Sequence, residues 1–592
     1  MNKLVSFVVI AAIALPLNAV AESDAPGPTK GPAGLIKRGE QLYKTPGSCI
    51  TCHGEKGEGG IGPSIQDGPS PFDIGYQFKS NPVMAPINEI LDPTHDDLIA
   101  LSFYIYDLVG KDVSQLNAFG MYSSLAQLDN PDPEIEYVAS ERDQLVEQLA
   151  PWDSVLKDWK RHAKTGSLKR DFEMTILETF DPGKAKFKPK SGTTYFYENL
   201  DSPNTYAAMA GHGSRSKTAV KHTYNGIAVG DAATKEIIAS IEMPENLKGQ
   251  VHTTVLSPDG KYIYITGPAA RGSGPGVTEI FSPASLLKVD ALTLQPIKLM
   301  ASGARLHHGQ IFQDKYIQID TFVRQPHGLD IFHLDPDTDE VVGGIRCEDL
   351  GGSCYTSFTD DEYVYILMQP TGYGPTAYSG FMGSNKFATG KLTILKPFWV
   401  AKLDPETWEV LKEYPYPGYR GDWIVIDSKK EFMYVPSAGT SNLSKINIKT
   451  GEVTWTVAVG TGPYGASLTA DEKEIWVANK GESLLSLGRT ISVVDTATGH
   501  SKETLFSGYM VDHVLLAPNG KEMWATSNIE GKVWVFDTET YEQIKVIEMP
   551  GAGNPHGTVW VHYDDDGKAR VVRDQGGFHN GINPALGKSL SY

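Results

Sequence analysis

The chain has 592 residues, 40% of them hydrophobic, and a formal charge of −19 at neutral pH. This length exceeds one ordinary domain, and the apolar content is sufficient for packed cores. The negative charge argues against nucleic acid or an anionic membrane as a partner and is compatible with docking to a basic redox carrier. No segment after the N-terminal stretch is long and apolar enough to cross a bilayer, and a homodimer is left open.

Residues 1–21 have the three parts of a secretory signal peptide. Lys3 supplies positive charge, residues 4–17 are apolar, and the A-V-A sequence at 19–21 is a small-residue cleavage site. The apolar part is shorter than a comfortable membrane span, although an uncleaved anchor is the alternative. We therefore expect an exported protein.

The sequence Cys49-Ile50-Thr51-Cys52-His53 has the C-x-x-C-H spacing of a covalent haem attachment site. Cys49 and Cys52 would form the two thioethers, and His53 would be the proximal iron ligand. A redox dithiol or half of a zinc site is the alternative. The adjacent His, the export signal and the lack of a second Cys pair nearby favour haem c. Covalent haem attachment in an exported chain predicts the bacterial periplasm.

Residues 22–110 resemble a small class I cytochrome c domain. A short helix over 34–43 leads into the haem motif, a Gly-rich loop follows, and an apolar-faced helix over 96–109 ends before Gly110. The resemblance implies a sixth iron ligand in the loop before the last helix, where Met84 lies between two prolines. The alternative for Met84 is an ordinary core residue.

Residues 111–195 are predicted to be a helical connector, with helices over 131–150 and 153–164 and no chemistry. Two further cysteines, Cys347 and Cys354, lie seven positions apart with two glycines between them. In an oxidising compartment this spacing predicts a disulfide, with a copper-thiolate role as the alternative.

Residues 196–592 repeat a unit of a strand, a polar turn and a second strand. The copies start at residues 257, 313, 359, 427, 469, 517 and 563. Most are followed by a third strand that ends in a D-x-x-T or K-T-G turn. Short strands that recur at the intervals between these starting residues indicate a β-propeller, and seven copies predict seven blades. Because the last copy lacks outer strands, we expect strands near residue 196 to complete it. The predicted fold is an all-β seven-bladed propeller preceded by a small all-α cytochrome c domain.

Histidines recur where the innermost strand of each unit begins, and this strand lines the central channel of a propeller. The histidines at this position are His252, His307, His308, His513 and His556. Three more lie in loops that would reach the same face: His212, His327 and His579. The remaining units place Tyr355, Trp423 and Tyr464 near this level. Such imidazoles either remain hydrogen-bonded core residues or bind a ligand.

An all-imidazole set without a free thiolate suits copper or zinc, and a neighbouring redox haem favours copper. Asp512 and Asp320 are candidates to orient ring nitrogens. Lys221 belongs to a group of basic residues near the histidines that would attract a small anion. We take Lys221 and Asp512 as the candidate catalytic residues. The alternative for the basic residues is a solvated surface.

A seven-bladed propeller with axial histidines resembles the catalytic domain of nitrous oxide reductase and, because no copper-binding CuA companion domain is present, thiocyanate dehydrogenase. The resemblance covers the propeller alone and implies a periplasmic oxidoreductase with a multinuclear copper cluster. Its substrate would be a small inorganic nitrogen or sulfur species, and its partner an external redox carrier such as a soluble cytochrome c. The fused cytochrome c departs from both families.

The chain also resembles haem-d1 nitrite reductases and d1-haem dehydrogenases, which share the cytochrome c plus propeller layout. Their propeller has eight blades, and a divergent blade between Leu367 and Phe398 would restore that number. A non-enzymatic electron-transfer or binding propeller is the third hypothesis. Substrate identity and the direction of electron flow do not follow from the sequence.

Overall fold

The computed structural model describes residues 32–66, 68–69, 71–80, 83–111, 156, 159–201, 225–249, 251–268, 285–322, 328–370, 398–418, 420–481, 488–527 and 530–592. The chain divides into two compact units, residues 1–129 and 130–592. None of the helices in these ranges is long and apolar enough to span a membrane. The signal peptide and most of the predicted helical connector lie outside the described residues.

The described part of the first unit is helical. Its helices are α1 (Pro32–Tyr43), α2 (Cys49–His53), α3 (Pro71–Ser80), α4 (Ala85–Leu91) and α5 (His95–Leu108). Thr94 and Asp97 form a capping box that starts α5. α1 crosses α5 closely because Gly39 has no side chain, and a Cβ there would overlap the carbonyl oxygen of Ala100. The helices predicted over 34–43 and 96–109 are present.

The described part of the second unit is built of strands. They are β1 (Thr175–Thr179), β2 (Thr193–Asp201), β3 (Gly226–Asp231), β4 (Glu236–Glu242), β5 (Val255–Leu256), β6 (Tyr262–Thr266), β7 (Ser285–Asp290), β8 (Pro296–Ala301), β9 (Arg305–Phe312), β10 (Tyr316–Phe322), β11 (Ile331–Asp335), β12 (Glu340–Ile345), β13 (Gly352–Thr359), β14 (Val364–Pro370), β15 (Phe398–Leu403) and β16 (Val410–Tyr416). The others are β17 (Val425–Ile426), β18 (Phe432–Ser437), β19 (Asn442–Asn447), β20 (Val453–Ala458), β21 (Pro463–Leu468), β22 (Glu474–Asn479), β23 (Thr490–Asp495), β24 (Ser501–Phe506), β25 (Val511–Leu516), β26 (Glu522–Ser527), β27 (Lys532–Asp537), β28 (Gln543–Glu548), β29 (Asn554–Pro555), β30 (Val559–Tyr563), β31 (Ala569–Asp574) and β32 (Gly577–Phe578).

These strands form separate antiparallel sheets, which gives the unit a propeller-like, all-β architecture. The strand orders are β1-β8-β7-β6-β5, β12-β11-β10-β9, β13-β14-β15-β16, β17-β18-β19-β20, β21-β22-β23-β24, β25-β26-β27-β28 and β32-β31-β30-β2-β3-β4, with β29 also paired to β2. The D-x-x-T turns connect the two outer strands of a sheet. In one of them the Asp495 carboxylate accepts the backbone N–H of Thr498 at 2.8 Å, which explains why the motif recurs.

The first and last parts of the unit share one sheet. β2 pairs with β30, and Phe196 lies opposite Trp560. β3 and β4 continue outward from β2. This pairing confirms that strands near residue 196 complete the sheet of the last repeat.

The chain after β30 departs from the repeat. β31 pairs with the edge of β30 that faces away from β2. From there it reaches other sheets: Val571 donates its N–H to Pro258 at 2.9 Å, Asp574 accepts the N–H of Ile311 at 2.7 Å, and Arg573 donates to the carbonyl oxygen of Leu516 at 3.3 Å. β31 and β32 therefore lie inside the ring of innermost strands. The repeat copy that starts at residue 563 predicts β31 as the second strand of the seventh repeat, and this prediction is wrong.

The prediction of a helical connector is wrong for residues 159–195. β1 pairs with β8 and extends a sheet, and β2 begins at Thr193. The stretch 159–164 is not helical. The backbone N–H groups of His162 and Ala163 donate to the Glu413 carboxylate, each at 3.0 Å, so side-chain contacts with a sheet replace helical hydrogen bonds.

Two further features bear on the sequence analysis. The predicted disulfide between Cys347 and Cys354 is confirmed.

β14 and β15, which flank residues 371–397, pair directly with each other, from Val364 opposite Leu403 to Met368 opposite Trp399. The divergent blade considered between Leu367 and Phe398 would fall on residues 371–397, which lie outside the described residues.

We predict that Phe196→Ala lowers the free energy of unfolding of the second unit by about 3–5 kcal/mol, because it leaves a cavity in the core. Phe196 is fully buried and packs edge-on against Trp524, with ring centroids 5.0 Å apart. Ile238→Ala is the matched control: Ile238 lies in the same sheet but is 42% exposed, and we expect a change within about 0.5 kcal/mol. Urea denaturation followed by tryptophan fluorescence measures both variants. Equal losses would contradict the role of Phe196 in closing the fold.

Candidate metal centre

The haem motif lies on α2 in the first unit. Cys49 is buried in the apolar core of that unit, and Cys52 is half-buried. His53 Nδ1 lies 2.8 Å from the carbonyl oxygen of Pro63. Because a carbonyl only accepts, Nδ1 carries the proton and the lone pair of the neutral ring resides on Nε2. This tautomer and the donor set fit a proximal haem ligand. Met84 precedes α4 and packs against the same core, half-buried.

Five of the predicted metal ligands come together in the second unit. His252 precedes β5, His307 and His308 lie on β9, His513 lies on β25, and His556 follows β29. These strands belong to four different sheets. The alternation of β9 is broken by a register shift between Asp320 and Thr321 of its partner β10. The shift occurs beside His307 and His308, two adjacent residues that both contribute to the cluster.

The imidazole rings are in contact with one another. Ring centroids are 3.8 Å apart for His252 and His556, 3.7 Å for His307 and His308, 4.5 Å for His252 and His307, and 4.9 Å for His513 and His556. One potential ligand from each of His252, His307 and His308 lies within 4.8 Å of the others, and the same holds for Asp512, His513 and His556. The two groups meet at His252 Nε2 and His556 Nε2, 2.9 Å apart.

Asp320 holds the first group in place from β10. Its Oδ1 accepts from His307 Nδ1 at 2.9 Å and from the backbone N–H of His308 at 3.1 Å. Its Oδ2 accepts from the hydroxyl of Thr356 at 2.8 Å and the backbone N–H of Ser357 at 2.9 Å. Thr356 Oγ1 is 3.0 Å from His308 Nδ1. Both rings are therefore fixed through Nδ1, which is the arrangement that outer carboxylates give metal-binding histidines.

Asp512 is fully buried and organises the second group. Its Oδ2 contacts Nδ1 of His556, and its Oδ1 is 3.0 Å from the ammonium group of Lys480. Lys480 also lies 4.1 Å from the centre of the Tyr464 ring. Lys480 and Thr356 could not be recognised from sequence, because a lysine after a strand is usually solvated and a threonine on a strand is ordinary.

Aromatic side chains from the other sheets close the cluster. Trp423 packs against His513 with ring centroids 4.6 Å apart, and Tyr464 stacks on His513 at 5.7 Å. The hydroxyl of Tyr355 donates to that of Tyr464 at 3.0 Å. The structure thus brings Tyr355, Trp423 and Tyr464 to the histidine level, and all three are buried.

Burial keeps the imidazoles neutral. Desolvation lowers the pKa of His252, His307, His513 and His556 well below the usual value, and it also lowers the pKa of His308. The neighbouring positive groups, including Lys480, act in the same direction. Neutral imidazoles have lone pairs for a metal.

His513 is the strongest indication that these side chains fit a bound ligand. Both of its ring nitrogens are buried without a hydrogen-bond partner among the described residues. A buried donor or acceptor left unpaired costs about 1–3 kcal/mol. The donor set therefore fits bound metal.

The remaining histidines predicted as ligands of this centre are His212, His327 and His579. His212, His327 and Lys221 lie outside the described residues. His579 follows β32, with Nε2 2.8 Å from Asp574 and Nδ1 3.7 Å from Asp314. The structure thus contradicts the assignment of His579 as a ligand, because β31 and β32 carry it away from the innermost-strand starts.

No family model matches this chain, and no curated protein matches it. Among solved structures, dihydro-haem d1 dehydrogenase NirN in complex with DHE is 12% identical, with 93% of this chain and 99% of that chain covered and a TM-score of 0.40. Kuenenia stuttgartiensis hydrazine synthase is 14% identical, covering 61% and 100%, with a TM-score of 0.40. The periplasmic gluconolactonase PpgL of Pseudomonas aeruginosa is 13% identical, covering 62% and 99%, with a TM-score of 0.43. Likenesses at this level carry no argument about function.

We predict that Asp320→Ala destabilises the metal-free second unit by about 3–5 kcal/mol, because it removes a buried acceptor and leaves the N–H groups of His308 and Ser357 unpaired. Asp565→Ala, at an exposed position, is the control and should have little effect. Chemical denaturation after chelation of metal measures both. A loss below about 1 kcal/mol for Asp320→Ala would show that the carboxylate does not anchor the histidines.

Proposed function

We propose that this chain is a periplasmic oxidoreductase that acts on a small inorganic nitrogen or sulfur species at a His-ligated copper site. The proposed ligands are His252, His307, His308, His513 and His556. The main support for the proposal is the convergence of five imidazoles from four sheets, four of them buried and that of His252 half-buried. Packing alone gives no reason to bury His513 with both ring nitrogens unpaired.

Copper is preferred among the metals that imidazole binds. Affinity for nitrogen ligands peaks at Cu²⁺ among divalent ions of the first row. The Cys347 and Cys354 sulfurs are bonded to each other, so they offer no thiolate. Copper held by the five histidines would supply a centre that changes valence by one electron. A haem c attached at Cys49 and Cys52, with His53 and Met84 as axial ligands, would relay electrons to or from an external cytochrome c.

In this proposal, the residues around the copper site orient the imidazole rings or exclude water. Asp320 and Asp512 orient the rings, while Trp423, Tyr355 and Tyr464 exclude water. The ammonium group of Lys480 is paired with Asp512 and balances the charge of that carboxylate. Asp512 is therefore better described as a positioning residue than as a catalytic one.

A d1-type haem in the second unit is the competing proposal. The 2.9 Å contact between His252 and His556 leaves no space between these rings for a macrocycle. The seven separate sheets formed by the described strands favour seven blades over eight. Elemental and pigment analysis of the purified protein separates copper with haem c, two kinds of haem, and haem c alone. The last result would favour a non-enzymatic electron carrier.

We predict that His513→Ala weakens copper binding by at least about 100-fold and abolishes turnover, because loss of a ligand exceeds the 10–100-fold effect of an outer partner. His333→Ala is the matched control: His333 is also buried, but it stacks on Phe312 with ring centroids 4.4 Å apart, away from the cluster. Copper is measured by mass spectrometry of the metal and by electron paramagnetic resonance. Full copper content in His513→Ala would refute the ligand set.

We predict that Met84→Ala removes the sulfur-to-iron absorption band and lowers the reduction potential, since a Met/His pair raises it. Ile87→Ala is the control, because Ile87 lies on α4 and packs against the same core without a ligand atom. Visible spectroscopy and redox titration of the full chain report both quantities. An unchanged spectrum in Met84→Ala would assign the sixth position to another residue.

A further inference from the structure

The second unit also contains a cavity, which lies beside β31 and β32. Its volume is about 340 Å³. Arg573, Gln575 and His579 line it from these inner strands, and Trp423 and Ser467 line it from the surrounding sheets. Gln575 also donates to the carbonyl oxygen of Gly309 and accepts from Thr253 Oγ1 at 2.8 Å. The cavity therefore ends against residues adjacent to the histidines, and it is not itself part of the cluster.

Arg573 is the unusual residue of this cavity. It is 7% exposed, and the adjacent Asp574 acts on its charge without forming a direct salt bridge. Its hydrogen bonds are long: Nε donates to the carbonyl oxygen of Leu516 at 3.3 Å and Nη2 to Ser467 Oγ at 3.4 Å. The Phe578 ring lies 4.4 Å from the guanidinium. A buried guanidinium without a direct salt bridge is costly, so its place on a cavity wall points to a ligand.

Ser467 adds a second donor. Its oxygen accepts the backbone N–H of Leu516 at 3.1 Å and the guanidinium of Arg573. Its own hydroxyl proton is used in no hydrogen bond with a described residue. Ser467 and Arg573 thus present donors to the cavity at adjacent positions. A planar anion with two oxygen atoms matches a guanidinium in two parallel hydrogen bonds.

The carboxylates that line the cavity have other roles. Asp360 accepts the N–H of Tyr363, Asp361 that of Gln313 and Glu472 that of Ser428, at 2.7 to 2.9 Å. Asp427 accepts the N–H groups of its own turn. These acids stabilise the turns after the innermost strands. None of them neutralises Arg573.

We propose that this cavity binds a small planar oxyanion, of the carboxylate or nitrate type, through Arg573 and Ser467. The site is separate from the proposed copper centre and does not depend on the proposed function. β31 carries this arginine to the cavity wall.

The test is isothermal titration of the full chain, carrying its haem, with formate and with nitrate. It is done before and after copper is removed with a chelator, since binding that survives removal is independent of the copper centre. We expect saturable binding of one anion per chain. Arg573→Gln should weaken it by at least about 10-fold. Lys568→Gln, which removes an exposed positive charge just before β31, should leave it unchanged.

If Arg573→Gln does not fold, Arg573→Lys tests the anion site instead, because lysine keeps the positive charge. Lysine lacks the planar pair of donors, so binding should weaken while the thermal unfolding temperature stays near that of the unaltered protein. Saturable binding lost in Arg573→Lys and retained in Lys568→Gln supports the site. Equal affinity in Arg573→Lys and the unaltered chain, or no saturable binding in the latter, overturns it.

Discussion

The removal of five imidazoles from water at one place is the constraint on which the second unit depends. Each ring loses its hydration, so its protonated form becomes too costly and its neutral form persists. Neutral rings can approach one another, as His252 and His556 do at 2.9 Å, where charged rings would repel. The same dehydration requires that the remaining polar atoms find partners. Asp320 and Asp512 supply many of them, and a metal would supply the others.

The two carboxylates divide the cluster into halves of different character. Asp320 accepts from two residues of β9 in its own sheet and from Thr356 and Ser357 of the next, so it ties neighbouring sheets together. Hydrogen bonds from His307 and His308 outweigh burial and hold the pKa of Asp320 below its usual range. Asp512 instead links His556 to Lys480. One half is thus held by neutral donors, and the other is held beside a cation.

Most of the architecture could be predicted from the hydrophobic periodicity and the turn residues of the sequence. The alternating strands, the D-x-x-T turns and the recurrence of histidine at the innermost strands of four units were sufficient to predict the five clustered histidines. They were not sufficient for His579, because a strand after a polar turn looks the same whether it joins its own sheet or enters the channel. Nor did they reveal Lys480, whose burial depends on Asp512, 32 positions away along the chain. Such pairings arise from tertiary contacts that no local pattern encodes.

The sheet that joins β2 to β30 also sets an order of assembly. The C-x-x-C-H segment spans five residues, so its geometry is available as soon as that short segment has folded. The imidazole cluster joins residues up to 304 positions apart and requires the last sheet to be closed, which is a slow, high-contact-order event. The two groups of side chains would then form at different times during folding. A chain interrupted before residue 554 would keep the first group and lack the second.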